Sequence, residues 1–339
     1  MGDPDLYLGA KLRQHTLENG VLAWTLSPSK YVQEAVRNVK EYHEREYPGR
    51  RWPKQAATPF LKDYRPELDF TPELKTETAS YFQSQIGVLR WMVELGRVDI
   101  IVEVSMLASQ LANPREGHLD AVFRIFQYLD AKHNSRMVFD PTCPDIDCTI
   151  FPTYEWTEFY GDVQESLPPN APATRGKDVD LRMYVDSDHA GDQVTRRSRT
   201  GYFIFLNSSP IAWFSKRQST IETSVFGAEF VALKTGMEAL RGIRYKLRMM
   251  GVAINGPSYV YGDNMSVINN TQRPESTLKK KSNAICYHAC REAVAMREMV
   301  TGHIRSELNP ADLATKVIPG GQKRNFLLSL VLHDIADYN

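Results

Sequence analysis

Cysteine is scarce in this sequence, with four residues in 339, at Cys143, Cys148, Cys286 and Cys290. Neither pair has the two-residue gap of a zinc knuckle, and no histidine follows at ligand spacing, so a structural zinc site is not expected. Free thiols in a reducing compartment suit the pattern better. Long apolar runs are missing too. No stretch approaches the roughly 18 residues that span a bilayer, which excludes a helical membrane protein. The opening Met1-Gly2-Asp3-Pro4-Asp5 lacks the basic and apolar segments of a secretory leader, and the residues after Gly2 do not suit myristoylation. The expected location is intracellular, cytoplasmic or nuclear, and not secreted. Net charge is absent as well, 41 basic residues balancing 41 acidic ones. No global basic field therefore marks a nucleic-acid binder.

What is present is an ordinary globular composition, 42% hydrophobic and 24% charged, in a chain long enough for about two domains with real cores. The charge is unevenly placed. Basic residues bunch at Arg196-Arg197-Ser198-Arg199, at Lys216-Arg217 and at Lys279-Lys280-Lys281, and acidic ones crowd Glu41 to Glu46 and Asp145 to Glu165. Such local patches can hold phosphates even when the sum is zero.

Along the chain, Tyr7 to Leu12 reads as a strand, Glu18-Asn19-Gly20 as a turn and Val21 to Leu26 as a returning strand. Ser27-Pro28 then opens a helix carrying Tyr31, Val32, Ala35 and Val36. Residues 47–75 read as an irregular connector. Helical spacing runs from Tyr81 to Leu129 in three segments, punctuated by Asp99 and Asn113-Pro114. Six prolines crowd residues 140–178, the signature of a linker or surface wrap, with Trp156, Phe159 and Tyr160 suited to docking on a neighbour. After it come strands over Leu181 to Val185, Gly201 to Leu206 and Ile211 to Ser215, and a long helix from Ser224 to Met250. A strand at Tyr259 to Tyr261, a short helix, a helix over Ile285 to Met299 and a strand near Gly302 to Glu307 come next. A last helix opens at Asn309-Pro310. That order predicts an α/β fold, an open mixed sheet flanked by helices.

Four carboxylates sit at chemically suggestive places in this scheme. Asp186 ends the first of these strands, and Asp263 ends the fourth. Glu229 lies on the helix stripe of Phe226, Phe230, Leu233 and Met237, the face that packs on the sheet, where a glutamate needs a partner or a cation. Asp312 falls in the first turn of the final helix. Strand ends and helix starts are where such sheets carry their chemistry. Four acids converging there would repel one another unless divalent cations neutralise them, and oxygen-only ligands favour magnesium or manganese. Two such ions roughly 4 Å apart can clamp the attacking water and the leaving oxygen of a phosphodiester. Each acid also has a plainer reading, Asp312 as a first-turn helix acid and Asp186 or Asp263 as turn residues.

These residues sit in recognisable motifs. Tyr184-Val185-Asp186-Ser187-Asp188-His189-Ala190-Gly191-Asp192, Arg197-Ser198-Arg199-Thr200-Gly201-Tyr202, Trp213-Phe214-Ser215-Lys216-Arg217-Gln218 and Ala228-Glu229-Phe230-Val231-Ala232-Leu233 closely resemble the ribonuclease H domain of copia-type LTR retrotransposons. Tyr261-Gly262-Asp263-Asn264 and Ala311-Asp312-Leu313-Ala314-Thr315-Lys316 continue the match in order. The resemblance implies a ribonuclease H fold with a catalytic, metal-binding quartet at Asp186, Glu229, Asp263 and Asp312, two magnesium ions (or manganese in their place) and hydrolysis of the RNA strand of RNA–DNA hybrids. The stretch from Tyr81 to Leu129 looks like the helical connection before the nuclease in these polyproteins. Tyr7-Leu8-Gly9 with Ser27-Pro28-Ser29-Lys30-Tyr31 looks like the segment after the polymerase palm. The expected organisation is 1–75 as the end of a reverse transcriptase palm and thumb, 76–140 as helical connection, 141–178 as proline-rich linker and 179–339 as the ribonuclease H-like domain. His189 stands where the family usually has Trp, and Ser282 where it often has His. No Tyr-x-Asp-Asp occurs, so no polymerase activity is expected. The rival reading is a catalytically silent retrotransposon remnant that at most binds nucleic acid.

Arg196, Arg197, Arg199, Lys216 and Arg217 flank the first three strands of the mixed sheet and are candidates for phosphate contact with a hybrid, against the alternative of a charged, solvated hairpin edge. Asn264 is either a hybrid contact or a cap for the helix after Asp263. His303 is a candidate for proton transfer, set against a structural role. Expected partners are an RNA–DNA hybrid and a polymerase subunit or other retrotransposon proteins, with no membrane.

Overall fold

The computed structural model describes residues 5–52, 56–278 and 281–334. The Met1-Gly2 start weighed for acylation, and Lys279 and Lys280 of the lysine run, lie outside them. The chain forms two compact units, one built from residues up to Phe139 together with those from Lys316 onward, the other from Asp140–Thr315.

In the first unit, β1 (Leu6–Tyr7) and β2 (Ala10–Thr16) are separated by a tight turn at Leu8 and Gly9, whose φ values are 51° and 93°. The single strand expected there is thus a hairpin, whose turn sets Gly9 in the positive-φ region that glycine takes without strain and holds Leu8 there beside it. β3 (Leu22–Ser27) returns antiparallel to β2, and α1 (Ser29–Glu46) buries Val32, Val36, Val39 and His43 at helical spacing. Three further helices come after it, α2 (Thr76–Glu94), α3 (Ile101–Ala108) and α4 (Glu116–Ala131), and then β4 (Ser135–Phe139), which pairs with β3. Periodicity alone does not mark β4. Asp99, expected only to separate two helices, is 3% exposed and receives two hydrogen bonds from Arg97, at 2.9 and 2.7 Å. Burial works to raise its pKa, but Arg97 holds the carboxyl below the usual carboxylate range.

The second unit begins with the proline-rich stretch, which is fastened down along its length. Trp156, just before α5 (Thr157–Tyr160), is 7% exposed in a core with Leu181, Met183 and Phe230, and the Arg291 guanidinium lies 4.8 Å from its ring centre. Phe151 packs edge-on against Tyr259 and Tyr261. Glu165 pairs with Arg244 at 2.7 Å and Arg248 at 2.6 Å. β5 (Arg175–Val179) ends the stretch. The segment that composition marks as a linker is a strap on this unit.

Then come β6 (Leu181–Asp188), β7 (Arg199–Leu206) and β8 (Ser209–Arg217), an antiparallel meander. α6 (Val225–Met249) is next, its first turn capped by the Ser224 hydroxyl, which accepts from the Gly227 amide at 3.2 Å. Ala228, Ala232, Leu233, Gly236 and Leu240 are buried on one stripe of it. β9 (Val252–Ile254) pairs with β5, β10 (Ser258–Gly262) runs parallel to β6, and α7 (Met265–Gln272), α8 (Ala284–Ala295) and β11 (Met299–His303) complete the unit's larger elements. The helix expected to reach Met299 stops at Ala295, because Arg297 turns the chain at φ 58° and Met299 already pairs with Ser258. α9 is a single turn, Asp312–Thr315. The last helix expected from Asn309 is divided there, and Pro319 with two glycines separates it from α10 (Gln322–Ser329). α10 and β12 (His333–Asp334) belong to the first unit, whereas the sequence pattern groups them with the nuclease region.

Among the described residues the first sheet has the order β1-β2-β3-β4-β12, and the second β11-β10-β6-β7-β8. In the second sheet β11, β10 and β6 are parallel, and β7 runs antiparallel to both β6 and β8, giving the open mixed α/β sheet flanked by helices that the sequence order predicts. No described helix is long and apolar enough to cross a membrane.

The strap makes a measurable prediction. Burial works to raise the Glu165 carboxyl from its ordinary 4.5, but the Arg244 and Arg248 guanidiniums hold it lower. A depressed native pKa gives stability that is complete above about pH 4.5 and fades as pH falls through the native value. Glu165→Gln, which leaves the buried Arg244 without its anion, is expected to cost about 3 kcal/mol at pH 7. Denaturant titrations should show the gap between variant and parent narrowing toward pH 3; a gap independent of pH contradicts the account.

Candidate active site

The register of two parallel strands sets up the centre. Tyr259 lies beside Arg182 and Tyr261 beside Tyr184, so the next outward pair along the same spacing is Asp263 and Asp186. Neighbouring strands are about 4.8 Å apart, and residues two apart share a face. α6 packs on β6 and β7 and brings Glu229 in from its second turn. One carboxylate oxygen from each of Asp186, Glu229 and Asp263 lies within 4.8 Å of the others. Asp186 is 1% exposed, Glu229 8%, and Asp263 half-buried.

Asp312 stands outside that three-carboxylate cluster. It is 1% exposed at the start of α9, which packs against β6, β7 and β8. The link to the cluster is one turn further on, where the Thr315 hydroxyl donates to Asp186 Oδ2. Asn309, wholly buried, donates from Nδ2 to the Val185 carbonyl at 3.1 Å and accepts from the Ala311 amide at 3.1 Å, pinning the start of this turn to β6. Gly201 on β7 makes the approach possible, since a Cβ there would lie 2.6 Å from Thr315 Cγ2 and 2.8 Å from Ala314 Cβ. Asp263 is held by the Ser306 hydroxyl at 2.6 Å. Sequence reasoning assigned no role to Asn309, Thr315 or Ser306. Thr315 does lie in the stretch from Ala311 to Lys316 that carries the resemblance, and that position is the signal that could have found it.

Three carboxylates, two of them buried, with only oxygen to offer, suit a hard divalent cation such as magnesium or manganese. The donor set fits the metal that the resemblance implies.

The basic candidates divide by environment. Arg196, held at φ 56°, and Lys216 are exposed. Arg197 is half-buried, and its Nε has no hydrogen-bond partner among the described residues. Arg217 is paired with Asp192, which also accepts from the Val194 and Thr195 amides at 3.2 and 2.7 Å. Burial works to raise the Asp192 carboxyl, and the Thr195 amide and Arg217 hold it below its usual range. Arg217 therefore braces the β6–β7 connection. Arg199 is 8% exposed within β7. The Asn264 side chain accepts from the Ser266 and Val267 amides at 3.1 and 3.2 Å, so it serves as the cap of α7. His303 pairs across the sheet with Gly262, one residue before Asp263. His189 meets the Glu222 carbonyl at 3.1 Å, and His288 the Tyr160 hydroxyl at 3.1 Å.

Comparison with known proteins bears on this arrangement. No family model matches the chain. It is 27% identical over 326 residues to a retrovirus-related Pol polyprotein from transposon TNT 1-94 of Nicotiana tabacum, covering 94% of this chain and 21% of that protein. The Pol polyprotein from transposon RE1 of Arabidopsis thaliana is 24% identical over 273 residues, covering 80% of this chain and 16% of the relative. This chain's homologues are copia-type transposon Pol polyproteins. The chain thus spans about a fifth or less of those relatives' lengths. Among solved structures, an RNase H1 called LC11, crystallised with an RNA/DNA hybrid, is 18% identical with a TM-score of 0.33, covering 40% of this chain and 93% of that one. The N-terminal RNase H domain of a Mycobacterium tuberculosis protein is 13% identical with a TM-score of 0.31, covering 45% and 96%.

The close approach at Gly201 can be tested without substrate. Gly201→Ala is expected to destabilise the fold by about 1–3 kcal/mol, the range for forcing an extra methyl into a packed contact. Urea unfolding measures it, and an unchanged midpoint would mean that α9 does not rest on β7 as described.

Proposed function

We propose that the second unit is a metal-dependent nuclease that hydrolyses the RNA strand of RNA–DNA hybrids. The observation that carries this reading is the meeting of Asp186, Glu229 and Asp263, three acids spread over 78 positions of chain, within 4.8 Å of one another. Like charges are gathered at such cost where a cation is to be held. Asp186, Glu229 and Asp263 would hold magnesium, with Asp312 as the fourth acid. Bound there, the metal supplies a water of lowered pKa and positive charge toward the phosphoryl oxygens.

The chain's own groups do the positioning. Thr315 orients the Asp186 carboxylate by donating to its Oδ2, and Ser306 does the same for Asp263. Arg196 and Lys216, exposed beside the first strands of the sheet, hold backbone phosphates, and Arg197 joins them; contacts of this kind set position without reading sequence. Arg199, Arg217 and Asn264 act on substrate only indirectly, through the loop and helix they brace. The hybrid is distinguished from DNA duplex by its 2′-hydroxyls and shape.

A fluorescently labelled RNA–DNA hybrid, titrated with magnesium, tests the reading. The parent chain is expected to cut the RNA strand only with the metal present. Asp186→Asn should lower the rate by more than the ~100-fold that loss of a hydrogen-bond partner to a metal ligand costs. Full activity in that variant removes the assignment; binding of hybrid without any magnesium-dependent cutting assigns a silent remnant instead. Thr315→Val, which keeps shape and removes the donor, should weaken magnesium binding by roughly 10-fold, read by calorimetry, with Thr315→Ser restoring it.

A further inference from the structure

The strap of the second unit reaches further than its anchors at Trp156 and Glu165 require. Its first residues are tied to the turn between β7 and β8, where the Ser209 hydroxyl donates to the Asp140 carbonyl at 2.7 Å and Asn207 Nδ2 donates to the Pro141 carbonyl at 3.0 Å. From there it passes to β10 and β11. Phe151, 6% exposed, sits edge-on to Tyr259 and Tyr261 of β10, with ring centres 5.0 and 5.1 Å away. Gly302 of β11, which pairs with Tyr261, makes the seat for this ring, since a Cβ there would lie 2.7 Å from Phe151 Cε1. Tyr261 in turn stacks on Tyr184 of β6 at 4.8 Å, and Tyr184 meets Phe205 of β7 edge-on at 5.6 Å. A row of rings therefore runs from the strap across β10, β6 and β7. Residues two apart on a strand share a face, and two residues beyond Tyr184 and Tyr261 stand Asp186 and Asp263. The strap thus bears, through one ring, on the side chains that precede two of the three clustered carboxylates.

We propose that Phe151 is a positioning residue for the carboxylate centre, fixing the spacing of Asp263 from Asp186 through the Tyr261–Tyr184 stack. The inference rests on the reading of that centre as a holder of divalent metal. Edge-to-face and stacked rings have preferred geometries, and a close-packed layer passes a displacement on instead of absorbing it. Of the two aspartates, Asp263 is the one that depends on such support. Asp186 is 1% exposed and tied to Thr315, whereas Asp263 is half-buried, follows the last residue of β10 and is held by an exposed Ser306. Where β10 ends is therefore where Asp263 stands, and Phe151 on Gly302 holds that end. Trp156 and Glu165 keep the strap attached without Phe151, so its removal loosens the seat and not the whole segment. The coupling is reciprocal by thermodynamic necessity: if a seated strap favours an occupied centre, an occupied centre seats the strap by the same factor.

Two measurements on the full chain test this, neither of which needs catalysis. In calorimetric titration with magnesium chloride, Phe151→Ala should bind the ion ~10-fold more weakly than the parent, the scale on which groups that orient metal ligands act. Phe151→Leu, which keeps a bulky apolar group on Gly302, should recover most of the loss, and Gly302→Ala, which keeps the ring but fills its seat, should reproduce it. In the second measurement the protease Glu-C reports opening of the strap at the exposed Glu155 and Glu158. Magnesium should slow cleavage there by at least ~5-fold in the parent, and should not do so in Phe151→Ala or in Asp186→Asn. Hybrid cutting gives a third readout: saturating magnesium should restore the parent's kcat to Phe151→Ala, because its acids are displaced and not removed. Equal magnesium affinity in parent and Phe151→Ala overturns the proposal, as does strap cleavage indifferent to magnesium in the parent. A loss in Phe151→Ala that Phe151→Leu does not relieve and magnesium does not restore assigns the ring to stability alone and overturns it too. A parent that binds no magnesium removes the metal reading and this inference together. A parent that binds magnesium with the expected dependence on Phe151 but cuts no hybrid removes the nuclease reading and supports the positioning role.

Discussion

Parallel pairing of β10 with β6 in one fixed register is the constraint on which the second unit depends. It puts Asp263 and Asp186 on the same edge of the same sheet. A slip of one residue would turn one of the two carboxylates to the opposite face. The register is held by what flanks it. Tyr184 and Tyr261 stack at 4.8 Å on one side of the two strands, and Met183, Val185 and Val260 are buried on the other. With the strands locked, α6 needs only to lie along the sheet for Glu229 to arrive in place.

The same constraint explains why short polar links recur around the site. A buried carboxylate is expensive unless its oxygens are satisfied, and here the satisfying groups come from the short turn and helix beside the sheet. Thr315 and Asn309 tie α9 to β6, and Ser306 reaches Asp263. Gly201 is the counterpart of these links, a missing side chain that lets α9 come close. Further out, the strap from Phe151 to Glu165 covers the same unit with one aromatic ring in the core and one paired acid on α6. Proline-rich composition favours extended backbone; it does not decide whether that backbone is free.

Charge works differently in the two units. In the second, several arginines are occupied by neighbours: Arg217 by Asp192, Arg244 and Arg248 by Glu165, Arg291 by backbone carbonyls in the last turn of α7 and just beyond it. These cations brace loops and are not available to a ligand. In the first unit the cations of the β2 face are left unneutralised around an open groove. A formal sum of zero therefore conceals both a neutralised interior network and an exposed basic surface.

Much of this was legible in the sequence. Alternating and helical spacing marked β6, β7, β8, β10 and α6 near their observed bounds. Asp186, Glu229 and Asp263 were marked by strand end, helix face and motif. The tertiary structure decided that three of the four acids form the tight cluster while Asp312 stands one helical turn from the Thr315 link. It also paired Arg217 with Asp192, set Asn264 as the cap of α7, completed the first sheet with β4 and β12, and fastened the proline-rich stretch to the second unit. The reason is physical. Periodicity and turn residues report the local backbone state, which short-range sterics control. Strand register, helix crossing and the pairing of distant charges depend on contacts between residues far apart in the chain, which leave no periodic trace in the sequence.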